Sequence, residues 1–205
     1  AAGAAAAIYT DTYYDHTFDN VTVDNCGWGV YALNSSGLTI TNCTFGTTNG
    51  IIRDGAGDDG GVGLYLVCDD NTENLESNNI GSSGNGNTFD KNDVAGLMIG
   101  MTGQSISADL TNISYNTFDD CGESSGGINA SAIHVLGNLT GNYNISNNTF
   151  TDGHGAAIMV VAGAQPGANI ASNTFNALST GTTHVVAATA FPADSFFDVF
   201  TNLDN

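Results

Sequence analysis

The chain has 205 residues, enough for one domain or one solenoid with a real core. Arg53 and Lys91 stand against 21 acidic residues, giving a formal net charge of -19; this excludes nucleic acid and anionic membrane as partners and favours cations such as calcium. With 41% hydrophobic residues and only 11% charged ones the chain is not an acidic disordered tail, and no apolar run is long enough to span a membrane.

Residues 1–16 form an apolar N-terminal segment. Its start, "AAGAAAAIYT", lacks the charged flank and long apolar core of a signal peptide and reads as a mature end left by cleavage at small residues. The repeats begin after it. Val23-Asp24-Asn25-Cys26-Gly27-Trp28 reads as a degenerate first copy of a strand motif, with Trp28 in an aromatic anchor slot. Fuller copies are Ile40 to Phe45, Ile113 to Phe118, Ile145 to Phe150 and Ile170 to Phe175. Asn87-Thr88-Phe89 is a copy whose Ile80 lies upstream of the insert "GSSGNG".

Anchor spacings range from 17 to 44 residues, which suits stacked coils with turns of variable length. The longest gap is expected to hide one irregular coil. A second strand follows each anchor: Val30 to Leu33, Leu64 to Val67, Leu97 to Ile99, Ile133 to Leu136, Ile158 to Val161, and Val185 to Ala187 as a last member. Alternation puts Val30, Leu64, Leu97, Ile133 and Ile158 on one face, with Ala32, Leu66, Ile99, Val135 and Val160 two residues on. Asn87, Asn116, Asn148 and Asn173, each two before a Phe, are expected to form a ladder of amides at a turn.

Cys26 and Cys43 share a slot two before the anchor, so stacking at about 4.8 Å predicts that they face each other and form a disulfide. Cys68 and Cys121 are less tied to the register, and the sequence leaves open whether they pair across the long insertion. The loop holding Asp54, Asp58, Asp59, Asp69 and Asp70 among glycines is a candidate calcium site, with solvated acidic turns as the simpler reading. No other cofactor is required. Acceptor motifs for N-glycosylation start at Asn20, Asn34, Asn42, Asn112, Asn129, Asn138, Asn144 and Asn147, which supports a secreted or cell-surface location.

The strands "ITNCTF", "ISYNTF", "ISNNTF" and "IASNTF", each followed by a Gly/Ala-apolar strand, resemble the right-handed parallel β-helix repeats of the pectate-lyase-like superfamily. The resemblance covers residues 17–190. It implies an all-β, single-domain parallel β-helix of about six to seven irregular coils with apolar terminal segments. It does not by itself imply an activity, because that superfamily holds lyases, hydrolases, adhesins and tailspikes. Asp119-Asp120 and Gly153-His154-Gly155 resemble two of the four motifs of polygalacturonase-like hydrolases, whose paired carboxylates act as acid and base. The Asn-Thr-Asp and Arg-Ile-Lys motifs are missing, and a loop separates Asp119-Asp120 from its strand.

In the second strand series Tyr31, Tyr65, Met98, His134 and Met159 point away from the core as an apolar stripe. A loop or terminal segment, a neighbouring subunit or a row of sugar rings are the readings of what covers it. The tail, residues 191–205, carries Phe191, Phe196, Phe197, Val199, Phe200 and Leu203; Asp194 or Ser195 is expected to cap a short helix there. Either terminal segment caps its own chain or lies on the next subunit. These features favour a non-enzymatic, secreted or cell-surface structural solenoid that self-associates as the subunit of a filament. The alternative is a polysaccharide-binding or polysaccharide-degrading β-helix, with glycans as partners.

Overall fold

The computed structural model describes residues 6–12, 14–47, 51, 61–68, 74–122, 131–153, 156–161, 167–176, 185–187 and 196–197. Three strands recur in each turn of the chain. The first turn holds β1 (Ala6–Asp11), β2 (Thr17–Asp19) and β3 (Thr22–Val23), and the second β4 (Trp28–Leu33), β5 (Thr39–Thr41) and β6 (Thr44–Phe45). The third holds β7 (Val62–Val67), β8 (Asn79–Ile80) and β9 (Thr88–Asp90), and the fourth β10 (Ala95–Ser107), β11 (Asn112–Ser114) and β12 (Thr117–Asp119). β13 (Ser131–Thr140), β14 (Tyr143–Ser146) and β15 (Thr149–Thr151) make the fifth; β16 (Ala156–Val161), β17 (Ala168–Ala171) and β18 (Thr174–Asn176) make the sixth. β19 (Val185–Ala187) and β20 (Phe196–Phe197) begin a seventh. Like strands stack in parallel, giving two sheets of seven strands and one of six: a parallel β-helix.

Side-chain ladders fill its interior. The Phe45, Phe89, Phe118, Phe150 and Phe175 rings stack nearly parallel, with successive centroids 4.9, 4.7, 5.2 and 5.1 Å apart. Ile40, Ile80, Ile113, Ile145 and Ile170 form the ladder of the second sheet. Val30, Leu64, Leu97, Ile133 and Ile158 form that of the first, all buried as the alternation predicts. The small residue before these last positions has a steric cause. A Cβ at Gly63 would sit 2.9 Å from the Phe89 ring, and one at Gly96 2.6 Å from Phe118. The aromatic ladder of one sheet therefore excludes a Cβ at the entry of another in these two coils, while Ala132 and Ala157 take the same slot in the next two.

The asparagine ladder runs along the corner between the second and third sheets. Asn87 donates Nδ2–H to Asn116 Oδ1 at 2.9 Å, Asn116 to Asn148 at 3.1 Å, and Asn148 to Asn173 at 3.1 Å. Each amide also donates to an Ile carbonyl two coils away from its acceptor: Asn116 to Ile80 O, Asn148 to Ile113 O. Each Oδ1 accepts a backbone N–H as well, Asn116 that of Asn87 and Asn148 that of Asn116.

Three expectations fail. The first copy of the motif is Phe18-Asp19-Asn20-Val21-Thr22-Val23, since Phe18 pairs with Ile40 and Val23 with Phe45. Trp28 instead opens β4. Two Asn-Cys pairs of like conformation caused the misreading: Asn42 (φ 54) and Asn25 (φ 56) both turn left-handed, but at different corners. The longest gap hides no extra coil, because Phe45 pairs directly with Phe89. In the tail, Phe196 and Phe197 form a strand beside β17 where a helix was expected; Asp194 and Ser195 lie outside the described residues. β1 falls within residues 1–16 and is the first strand of its sheet.

Asn116→Ala removes two donors and a doubly used acceptor from a buried network. It is expected to cost about 2–4 kcal/mol, read as a lower midpoint in urea or thermal unfolding. A midpoint like that of the unaltered chain would show that the ladder contributes little.

Candidate functional site

Two outer features carry chemistry, one on the first sheet and one at the corner leading into it. On the sheet, backbone register aligns Tyr9, Tyr31, Tyr65, Met98, His134, Met159 and Val186 into one column. Tyr31, Tyr65, Met98 and Met159 are half-buried, whereas His134 is only 1% exposed. The aromatic end is packed rather than merely aligned. Tyr9 stacks on Tyr31 with centroids 5.8 Å apart, and Trp28 stacks on Tyr65 at 5.3 Å and meets Tyr31 edge-on at 5.5 Å. Trp28, Val62 and Ala95 form a small second core beneath these rings, with Ala6, Val94 and Met98 against it. Sequence reasoning missed Tyr9, and with it the extension of the column onto β1. Placing Trp28 in the wrong slot concealed its part in the cluster.

The corner between the third and first sheets is acidic. Asp90 and Asp119 are register partners, and Asp119 pairs on its other side with Thr151. Lys91 (φ 51), Asp120 (φ 50) and Asp152 (φ 53) take the left-handed turn position in successive coils. Lys91 Nζ lies 3.3 Å from an Asp90 carboxylate oxygen. Burial pushes the Asp119 carboxyl above its ordinary value; Asp90, Asp152 and Asp120 add to the rise, and Lys91 opposes it. The fold thus brings Asp119-Asp120 beside Asp152, the residue before Gly153. His154 and Gly155 lie outside the described residues, so the partner of the carboxylates is not placed.

The remaining candidates divide by corner. None of the four cysteines is in a disulfide, which corrects the predicted Cys26–Cys43 bond. Cys43 occupies the ladder slot before Asn87, with its backbone N–H on Asn87 Oδ1 at 2.9 Å. Cys26 lies at the acidic corner, bridged to Ile51 and through it to Asn92. Cys121 sits at that same corner, 3.6 Å from Asn92 Nδ2, and burial pushes its thiol up to about 12. Such a thiol stays protonated and unreactive at neutral pH.

The acceptor asparagines have a structural origin. Asn20, Asn42 and Asn147 hold exposed left-handed turn positions (φ 56, 54 and 56), followed by a ladder residue and an outward Thr. Asn34 is buried, and Asn112, Asn138 and Asn144 are half-buried; the Asn112 and Asn138 amides bond Asn79 and Ser105. Asn129 lies outside the described residues, as do Asp54, Asp58, Asp59, Asp69 and Asp70, the candidate calcium ligands. Among the described residues no three His, Cys, Asp or Glu side chains gather as a metal site.

The family model for the right-handed β-helix region matches residues 3–175. The chain belongs to that family. Neither the curated proteins nor the solved structures hold a match to it. Membership accounts for the ladders and the three sheets, and it leaves the activity of this right-handed β-helix open.

The raised Asp119 carboxyl makes a signed prediction. The folded state holds this proton more tightly than the unfolded chain does, so the stabilisation is present below the ordinary carboxylate value and is lost as pH rises through the raised one. At neutral pH the ionised group is a cost. Asp119→Asn is therefore expected to melt above the unaltered protein at pH 7, with the gap closing as pH falls below the carboxylate range and shrinking in high salt. A gap independent of pH would contradict this.

Proposed function

We propose that this right-handed β-helix is a non-enzymatic structural protein of the cell exterior that works by contact, associating with copies of itself. The carrying observation is the column from Tyr9 to Met159 on the first sheet. Its neighbours on the other two sheets are of a different kind: Thr22, Thr44, Thr88, Thr117, Thr149 and Thr174 line the third, and Asn79, Asn112, Asn144 and Asn169 the second. One face in three is apolar and aromatic, the character of a surface that is covered in use. Calcium, held by the aspartates between Asp54 and Asp70, is the ion this reading would recruit, and the exposed Asn20, Asn42 and Asn147 are where it would carry glycans.

Light scattering across a hundredfold range of concentration, with calcium and with chelator, tests the proposal. A mass above that of one chain is expected at the upper end, reduced by Tyr65→Ser with Met98→Ser. A single chain under every condition would refute self-association.

A second reading has one specific observation in its favour. Asp90, Asp119, Asp120 and Asp152, from successive coils, meet at a corner one residue from Gly153-His154-Gly155. In this reading the corner is a carboxylate site for cleaving a polysaccharide, with Asp119, whose carboxyl burial pushes above its ordinary value, as the acid. Screening neutral and acidic glycans for released reducing ends decides it. Activity lost by at least about a hundredfold in both Asp119→Asn and His154→Ala would establish the hydrolase and displace the structural reading.

A further inference from the structure

The corner between the first and second sheets is stacked by backbone bonds. Asp15 N–H donates to Ser36 O at 3.2 Å, Gly37 N–H to Glu76 O at 2.9 Å, and Ser77 N–H to Asp109 O at 2.9 Å. Asp15, Gly37, Ser77 and Leu110 therefore share one slot in successive coils, and all four have left-handed φ, of 61, 72, 58 and 59°. Tyr14, Ser36, Glu76 and Asp109 share the slot before it. Of these four coils, only the second puts small residues in both slots. A notch of about 460 Å³ is left there, with Tyr14 and Asp15 on one side, Asn74, Glu76 and Ser77 on the other, and Ser36 and Gly37 between them.

The notch is kept open by its residues. Backbone conformation does not require glycine in this slot, because Asp15, Ser77 and Leu110 carry side chains at nearly the same φ. What Gly37 supplies is space: a Cβ there would lie 2.5 Å from Asp15 Oδ1. The Ser36 hydroxyl is turned to the backbone of the third coil, donating to Asn74 O at 2.8 Å and accepting Glu76 N–H at 3.0 Å. One Glu76 carboxylate oxygen accepts a hydrogen bond from Ser107 Oγ in the fourth coil, which orients the group. Tyr14 is 62% exposed, and its ring borders the opening.

We infer that this notch binds an organic cation carrying a guanidinium group. Two carboxylates border it from opposite sides, with no cationic residue in its lining; Lys91 pairs with Asp90 at a different corner. The field of a chain with net charge -19 concentrates cations around it. A bare calcium ion needs about six or more oxygens at about 2.3–2.6 Å. The notch is far wider than that, and among the described residues no three acidic, His or Cys side chains gather. A neutral ligand would leave both charges uncompensated. A guanidinium uses every part of the lining: its plane stacks on the Tyr14 phenol, and its fork of N–H donors meets a carboxylate in two bonds. The site lies off the aromatic column and does not depend on self-association.

The test is calorimetric titration of the dilute protein with agmatine, with NMR mapping of the amides it shifts. Saturable binding of one agmatine per chain is expected, with shifts centred on Ser36, Gly37 and Glu76. Asp15→Asn and Glu76→Gln are each expected to weaken it about tenfold, and Tyr14→Leu about threefold. Gly37→Ala displaces the Asp15 carboxylate and is expected to weaken it too; if that variant fails to fold, the three surface variants still decide. Putrescine, with ammonium in place of guanidinium, is expected to bind about tenfold more weakly. A blocked Gly-Arg-Gly peptide that binds as tightly as agmatine assigns the site to an arginine of a partner protein; one that binds far more weakly assigns it to a free small cation. Equal affinity for putrescine, shifts spread over the whole surface, affinity unchanged in all the variants, or stoichiometric displacement by calcium would each overturn the inference.

Discussion

The asparagine ladder is the constraint on which the rest depends. An amide has two N–H donors and an oxygen with two acceptor sites, and at Asn116 each of these is used: donors to Ile80 O and Asn148 Oδ1, the oxygen to Asn87 N–H and Asn87 Nδ2. A buried turn would otherwise strand backbone groups at the cost of unmade hydrogen bonds. The network closes only when each coil lies directly on the last without slipping. Once the amides fix that registry, Phe must fall on Phe and Ile on Ile. The packing of the rings then excludes side chains at Gly63 and Gly96. Corner, core and strand entry are one problem solved once per turn.

The same registry shapes the outside. A residue that faces outward in one coil is placed about 4.8 Å from its counterpart in the next, so surface columns are inherited from the core. The aromatic column of the first sheet is a product of this, and so are the glycosylation motifs. Asn20-Val21-Thr22, Asn42-Cys43-Thr44 and Asn147-Asn148-Thr149 each spell a left-handed turn, a ladder slot and an outward threonine. The spacing of the acceptor motif coincides with the geometry of the corner, and its recurrence needs no sugar to explain it.

Most of the architecture was legible in the sequence because the ladders repeat. Ile113 to Phe118 and Ile145 to Phe150 predict each other, and the inward face of the first sheet follows from alternation. Reading failed where different corners use the same chemistry. Asn25-Cys26 and Asn42-Cys43 have matching residues and matching turn conformation, and only backbone pairing distinguishes them. That one slip moved Trp28 out of its cluster and produced a disulfide the structure lacks. The threonine column is written in the chain as the Thr before each anchor from Phe45 to Phe175. The acidic corner was harder to see. Asp90, Asp119 and Asp152 lie in coils of unequal length, and no fixed spacing in the chain announces that they meet.

Registry also explains a composition that is strongly acidic yet poor in charge. Along a column, identical charges would sit one strand apart and repel. Neutral polar groups repeat without that cost and can bond their own copies, as Asn169 does with Asn144 at 2.9 Å and Asn112 with Asn79 at 3.3 Å. Among the described strand pairings the like-charged neighbours are Asp90 and Asp119, and there the Asp119 carboxyl is displaced upward. Threonine and asparagine therefore take the middle of the sheets, and many of the described carboxylates fall at strand ends, as Asp11, Asp19, Asp90 and Asp119 do, or at turns, as Asp15, Asp120 and Asp152 do with left-handed φ. The outcome is a molecule of large negative charge whose flat faces carry little of it. A partner meeting a face encounters hydroxyls, amides or rings. A partner approaching the corner of Asp90, Asp119, Asp120 and Asp152 encounters carboxylates, and that difference makes contact along the faces insensitive to salt and contact at the corner responsive to it.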